Sequence, residues 1–161
     1  FIKKHTNLLD IGSYPGGWSQ VSSKIIETGK IVSIDLKKME KIKKVNFLQC
    51  DFLNLGVKDQ ILNLIDSKLD VILSDMAANT TGNKSLDCIR TNQLCSEVIK
   101  FSLDVLKPKG ILVSKLFMGE DFLELKELAK EKFKKVQFFK PESSRGESKE
   151  TYIHCESLKT L

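Results

Sequence analysis

No stretch of this 161-residue sequence approaches the roughly 18 consecutive apolar residues that a membrane-spanning helix requires, so it reads as a soluble protein. Cysteine is sparse and unpatterned. Cys50, Cys88, Cys95 and Cys155 form no C-x-x-C pair, and only His5 and His154 could join them as ligands. This argues against a metal site and against a disulfide framework, and leaves reduced thiols as the expectation. There is no internal repeat, no linker-like stretch and no signal-peptide pattern at the start. With 41% apolar residues the chain can bury one core but not two. Residues 1–161 are therefore expected to form a single domain, monomeric and cytoplasmic, or organellar if a targeting peptide precedes Phe1.

Charge is modest but unevenly placed. The formal net charge is +5, yet Lys37, Lys38, Lys41, Lys43 and Lys44 crowd one short segment. Such a patch suits a polyanion and equally suits a solvated face, so charge alone leaves a nucleic-acid partner open.

Short β-branched runs alternate with helical patterns, which is the signature of an α/β fold around a mainly parallel sheet. Strands are expected over Leu8–Ile11, Lys30–Asp35, Val45–Gln49, Leu69–Ser74, Ile111–Phe117, Val136–Phe139 and Thr151–Cys155. Helices are expected from Trp18 to about Thr28, around Ile61, Leu62 and Ile65, through Leu94, Val98, Phe101 and Val105, and from Asp121 to Lys132. The last two strands are separated only by a polar stretch, Pro141 to Lys149, so they should form an antiparallel pair at the end of a seven-stranded sheet. Gly12, Asp35, Asp51, Asp75 and Lys115 all fall at or just beyond strand carboxyl ends, where open α/β sheets bind their ligands.

The first strand runs into Asp10-Ile11-Gly12-Ser13-Tyr14-Pro15-Gly16-Gly17-Trp18. A dinucleotide fingerprint needs G-x-G-x-x-G, so that backbone amides approach a pyrophosphate. Its second glycine is missing here, and Tyr14 and Pro15 stiffen the turn where phosphate should approach. This spacing suits a cofactor that carries an amino acid and a sulfonium instead. Asp35 could accept hydrogen bonds from both hydroxyls of a cofactor ribose, a role shared with nicotinamide sites. Asp51 could accept from an adenine amino group, or cap a helix. Trp18 is either core or part of the cofactor turn.

Asp10 to Gln20 (DIGSYPGGWSQ), Phe47 to Phe52 (FLQCDF), Ser74 to Asn79 (SDMAAN), Val113 to Phe117 (VSKLF) and Pro141 to Ile153 (PESSRGESKETYI) together resemble the FtsJ/RrmJ (RlmE) family of ribosomal RNA 2′-O-methyltransferases. The resemblance runs in order over nearly the whole chain. It implies a Rossmann-like fold that binds S-adenosyl-L-methionine (SAM), with large-subunit rRNA as partner and a uridine as target. Cofactor contacts would fall on Gly12, Gly16, Gly17, Trp18, Asp35, Asp51, Phe52 and Asp75. Of the family's K-D-K-E catalytic tetrad, the resemblance assigns Asp75, Lys115 and Glu150. The remaining lysine belongs before the first strand, and Lys3 and Lys4 lie too close to that strand to supply it. Because the chain starts at Phe1 rather than at methionine, this lysine is expected upstream. Ala78 stands where the family often has proline.

Methyl transfer to a ribose hydroxyl is an in-line displacement on a poor nucleophile, so placement and a positioned base should both help. Lys115 is the candidate base, with Asp75 and Glu150 orienting it. A lysine within an apolar strand would be costly to bury unpaired. Ser143-Ser144-Arg145 could contact a phosphate backbone. Rival chemistries fit less well: there is no N-P-P-Y motif for amino methylation, and no cysteine suitably placed for attack on a pyrimidine. A 2′-O-methyltransferase of mRNA caps or tRNA, or a non-catalytic SAM- or RNA-binding module, are the alternatives.

Overall fold

The computed structural model describes residues 1–141 and 150–160. In chain order the elements are β1 (Leu8–Ile11), α1 (Gly17–Ile25), β2 (Ile31–Asp35), β3 (Val45–Gln49), α2 (Val57–Ile65), β4 (Leu69–Ser74), α3 (Lys84–Val105), β5 (Leu106–Phe117), α4 (Phe122–Lys132), β6 (Phe133–Phe139) and β7 (Glu150–Leu158). The seven strands form one sheet in the order β3-β2-β1-β4-β5-β7-β6. Pairing from β3 through β5 is parallel, and β7 runs antiparallel to both β5 and β6. The expected antiparallel pair is thus present, with β7 inserted between β5 and β6 rather than at the edge.

The sheet separates two apolar layers, as alternation along each strand requires. Leu9, Ile11, Val32, Ile34, Ile72, Leu112 and Ile153 face α2, α3 and α4, where Ile61, Val98, Ile99 and Leu125 meet them. Leu8, Ile31, Val71, Leu73, Val113 and Tyr152 face the other way, toward Ile26 and Trp18. Strand order reverses direction at β1, since β2 lies on one side of it and β4 on the other. Such a switch point opens a crevice beyond the strand carboxyl ends.

Two elements differ from their sequence patterns. The third helix begins at Lys84, well before Leu94, because its first half turns Cys88, Thr91 and Asn92 inward instead of an apolar stripe. Asn83 caps it by accepting a hydrogen bond from the Leu86 N–H at 3.2 Å. The fifth strand begins at Leu106, before Pro108 and Gly110. Leu69 pairs with Leu106 and Val71 with Ile111, so residues 107–110 bulge out opposite Asp70. The proline therefore sits where no ladder hydrogen bond is required, and Lys107 pairs with Asp70 at 2.9 Å. Among the described residues, no helix is long and apolar enough to cross a membrane.

Candidate active site

The turn after β1 is built around Gly12. Its φ is +71°, and a Cβ there would lie 2.3 Å from Met76 Cγ, so no larger residue fits without displacing the start of the segment after β4. Gly12 and Ser13 both donate backbone hydrogen bonds to the Ile34 carbonyl, at 2.8 and 3.1 Å. This ties the turn to β2 and brings its end beside Asp35. The Asp35 carboxylate accepts from the Tyr14 N–H at 2.9 Å and from the Lys37 N–H at 2.8 Å, one bond to each oxygen. Each oxygen keeps a further lone pair for a ligand.

Beyond the ends of β1, β2 and β4 lies an open cleft of about 420 Å³. Gly12, Tyr14, Asp35, Asp51, Phe52, Asp75 and Met76 contribute to its lining. Asp51 does not cap α2, whose N-cap is Gly56. It instead accepts from the Leu53 N–H at 2.9 Å in a local turn, with its carboxylate at the cleft. Gly16, Gly17 and Trp18 are not brought to the lining. Gly16 is the N-cap of α1 with φ +118°, packed against Ile42 and Met39, and Gly17 opens the helix. Trp18 leans on Tyr152, with ring centroids 5.8 Å apart. A cavity of about 470 Å³ between the 52–56 loop and α3 receives nothing from the ends of β1, β2 or β4.

A further carboxyl lies buried close to Asp35 and Asp75. Asp10, at 1% exposure, accepts from Ser19 Oγ at 2.7 Å, and Ser19 in turn bonds Ser33 at 2.6 Å. Burial pushes the Asp10 carboxyl up to about 7, the Ser19 bond opposes this, and the charges of Asp75 and Asp35 add to it. A cationic ligand would relieve that repulsion, whereas a pyrophosphate would worsen it. Asp10 and Ser19 both lie in the glycine-turn motif, but nothing in the sequence marks their bond to each other or to Ser33.

Beside this cleft, toward β7, three predicted residues converge. Lys115 Nζ lies 3.1 Å from Asp75 Oδ1 and 3.4 Å from Glu150 Oε1, with its side chain only 13% exposed. Topology produces this meeting. Asp75 follows the last residue of β4, Lys115 is near the end of β5, and the start of β7 lies at the same sheet end because that strand runs backward. Sequence reasoning missed Tyr152, whose hydroxyl donates to Asp75 Oδ1 at 2.7 Å. Its signal was its position two residues after Glu150, on the same face of a strand. Burial, the bond to Asp75 and the charges of Asp75 and Glu150 all raise the phenol's pKa, so it acts as a donor and not as a base.

The thiols of Cys50, Cys95 and Cys155 are held in their neutral form: burial and the charge of Asp51 raise the pKa of Cys50, which lines the cleft. Cys95 and Cys155 are buried, and burial drives both thiols up, Cys95 to about 12. Among the described residues, no group of three or more His, Cys, Asp or Glu side chains could hold a metal ion. The Ser143-Ser144-Arg145 segment lies outside the described residues.

The arrangement can hold a cationic nucleoside at one side and orient a hydroxyl at the other. The chain is 45% identical over 158 residues to ribosomal RNA large subunit methyltransferase E of Pelagibacter ubique, covering 98% of this chain and 78% of that protein. It is 47% identical over 152 residues to the enzyme of the same name from Rickettsia akari, covering 91% and 67%. A crystal structure of a Plasmodium falciparum protein assigned as a ribosomal RNA methyltransferase superposes with a TM-score of 0.85 at 31% identity, over 98% of this chain and 89% of that one. The model of the FtsJ-like methyltransferases matches residues 1–158, from the strand that leads into the glycine turn to the strand that carries Glu150, and the chain belongs to that family.

Proposed function

We propose that this chain transfers the methyl group of SAM to a ribose 2′-oxygen of large-subunit ribosomal RNA, with a uridine as the target nucleotide. The observation that carries this reading is the Lys115–Asp75–Glu150 cluster at the edge of a carboxylate-lined cleft. Asp35 is suited to the cofactor ribose, Asp51 to the adenine amino group, and Phe52 to the adenine face. The carboxylates of Asp35 and Asp75 favour a cofactor with a positively charged sulfur and an ammonium group. Gly12 admits the amino-acid portion closely because it lacks a side chain.

SAM, when bound, supplies a methyl group on a sulfonium that leaves as a neutral thioether. The chain's own contribution is placement and proton handling. Lys115, held between Asp75 and Glu150, aligns the acceptor hydroxyl; once it has released its own ammonium proton to solvent it can take up the hydroxyl proton as the carbon–oxygen bond forms. Asp75 is braced by two donors, Lys115 and Tyr152, so its position does not depend on substrate. Alignment of nucleophile and methyl group contributes more than proton removal here, worth several kcal/mol by order of magnitude.

The chain is read as acting as a monomer in the cytoplasm, on RNA already within the ribosomal large subunit. Labelled SAM and undermethylated large subunits test the reading. Ribose methylation should be lost in Lys115→Ala with SAM binding retained. Tight SAM binding with no transfer to rRNA, mRNA caps or tRNA would favour a binding module.

A further inference from the structure

The paired register of β4 with β5 ends at Ser74 opposite Ser114, so the segments carrying Asp75 and Lys115 leave the shared ladder there. On its other side β5 stays paired with β7 as far as Phe117 opposite Glu150. On the open side two consecutive residues of α3 take over. The Phe117 N–H donates to Asn92 Oδ1 at 2.7 Å, and Asn92 Nδ2 donates to the Phe117 carbonyl at 2.8 Å, as a neighbouring strand would do. Nδ2 also donates to Asp121 Oδ1 at 2.7 Å, which fixes the orientation of the amide. Next to it, Thr91 Oγ1 accepts from the Ala78 N–H at 3.1 Å, just beyond Asp75.

Thr91 and Asn92 are 1% and 2% exposed. Buried polar side chains are tolerated when hydrogen-bonded, and none of these bonds stays within α3. We propose that Thr91 and Asn92 are positioning residues that set the separation of the two strand exits and so bring Asp75 and Lys115 together. Both contacts come from one helix, so the two exits are held relative to one another where the ladder stops. The proposal rests on the reading of Lys115 and Asp75 as the reacting cluster.

Three readouts test it: the ¹³Cε resonance of Lys115, assigned by its loss in Lys115→Arg; the Kd for SAM; and kcat on undermethylated large subunits, measured well below the melting temperature. Asn92→Ala should move the resonance and lower kcat by about ten-fold or more, since small misplacements of reacting groups are costly. Its Kd for SAM should stay within about three-fold, because Phe117, the strand residue that Asn92 holds, does not line the cleft. Thr91→Val should lower kcat in the same sense. Asn83→Ala removes the cap of the same helix, and should lower Tm while leaving the resonance and kcat unchanged. Should Asn92→Ala fail to fold, Asp121→Ala frees the amide to turn and should give the same changes in milder form. An unmoved resonance in Asn92→Ala, or equal kcat loss in Asn83→Ala, overturns the proposal. If the wild-type protein methylates no rRNA, the substrate reading falls alone, and the resonance still decides the positioning role.

Discussion

Lys115 and Tyr152 face one another across the β5–β7 ladder, and both reach the same oxygen, Asp75 Oδ1, at 3.1 and 2.7 Å. One strand pair therefore supplies both donors to a carboxylate carried by a third strand. Tyr152→Phe removes one donor while keeping the ring between Trp18 and Phe139, its neighbours at 5.8 and 5.6 Å. The bond is partly exposed, so single-turnover methyl transfer should slow by about ten-fold or less, with little change in Tm. A loss as large as that of Lys115→Ala would show that the hydroxyl does more than brace Asp75.

Asp10 sets a pH dependence of stability. An aspartate ionises near 3.8 in the unfolded chain, and Asp10 does so near about 7 in the folded one. Between these values the folded state holds a proton that the unfolded state has lost. Stability therefore falls as pH rises through this window, and the full penalty is present above the upper value. Asp10→Asn removes the titration. Its stability relative to wild type, from urea unfolding, should improve by about 2–3 kcal/mol between about pH 5 and pH 7.5. A constant difference across that range would mean the carboxyl does not titrate there.

Gly12→Ala combines an unfavourable backbone conformation with a side chain aimed at Met76 Cγ, 2.3 Å away. The expected destabilisation is about 2–4 kcal/mol, the sum of a positive-φ penalty and an overpacking penalty. Affinity for SAM should fall with it, since Met76 and Gly12 both line the cleft. Thermal unfolding and calorimetric titration check the two effects separately.

Asp35→Ala leaves the Tyr14 and Lys37 amides without their acceptor. These groups are at the surface, so the loss of stability should be about 1 kcal/mol. Binding of SAM should weaken by about ten- to a hundred-fold, the effect of removing hydrogen bonds from a carboxylate to two hydroxyls. Unchanged affinity by titration would remove Asp35 from the cofactor site.

The strands and the gathering of Gly12, Asp35, Asp51, Asp75 and Lys115 at their carboxyl ends were legible because hydrophobic runs mark parallel strands and polar residues stand out against them, whereas Glu150 was named only by the family resemblance. Helix α3 was half hidden. Thr91 and Asn92 face inward to bind the exits of β4 and β5, so the apolar period that reveals a helix is interrupted where its polar side chains have structural partners. Trp18 follows two glycines of the turn, and nearness in sequence suggested the cleft. The first turn of α1 sets it against Tyr152, which matches the core alternative that the sequence left open. The bonds of Asp10 to Ser19, and of Ser19 to Ser33, join residues whose meeting depends on helix α1 crossing the sheet, which no local pattern records.

Strand β7 enters the sheet last in sequence yet lies inside it, between β5 and β6. During synthesis every lining residue of the cleft is therefore made before Glu150 and Tyr152 leave the ribosome. A chain stopped after Lys140 would contain the cleft residues, but β5 would lack its outer partner and β6 its only one. On the proposed reading, the cluster of Lys115, Asp75 and Glu150 is complete only once β7 has entered the sheet, so a chain stopped after Lys140 should not transfer methyl groups.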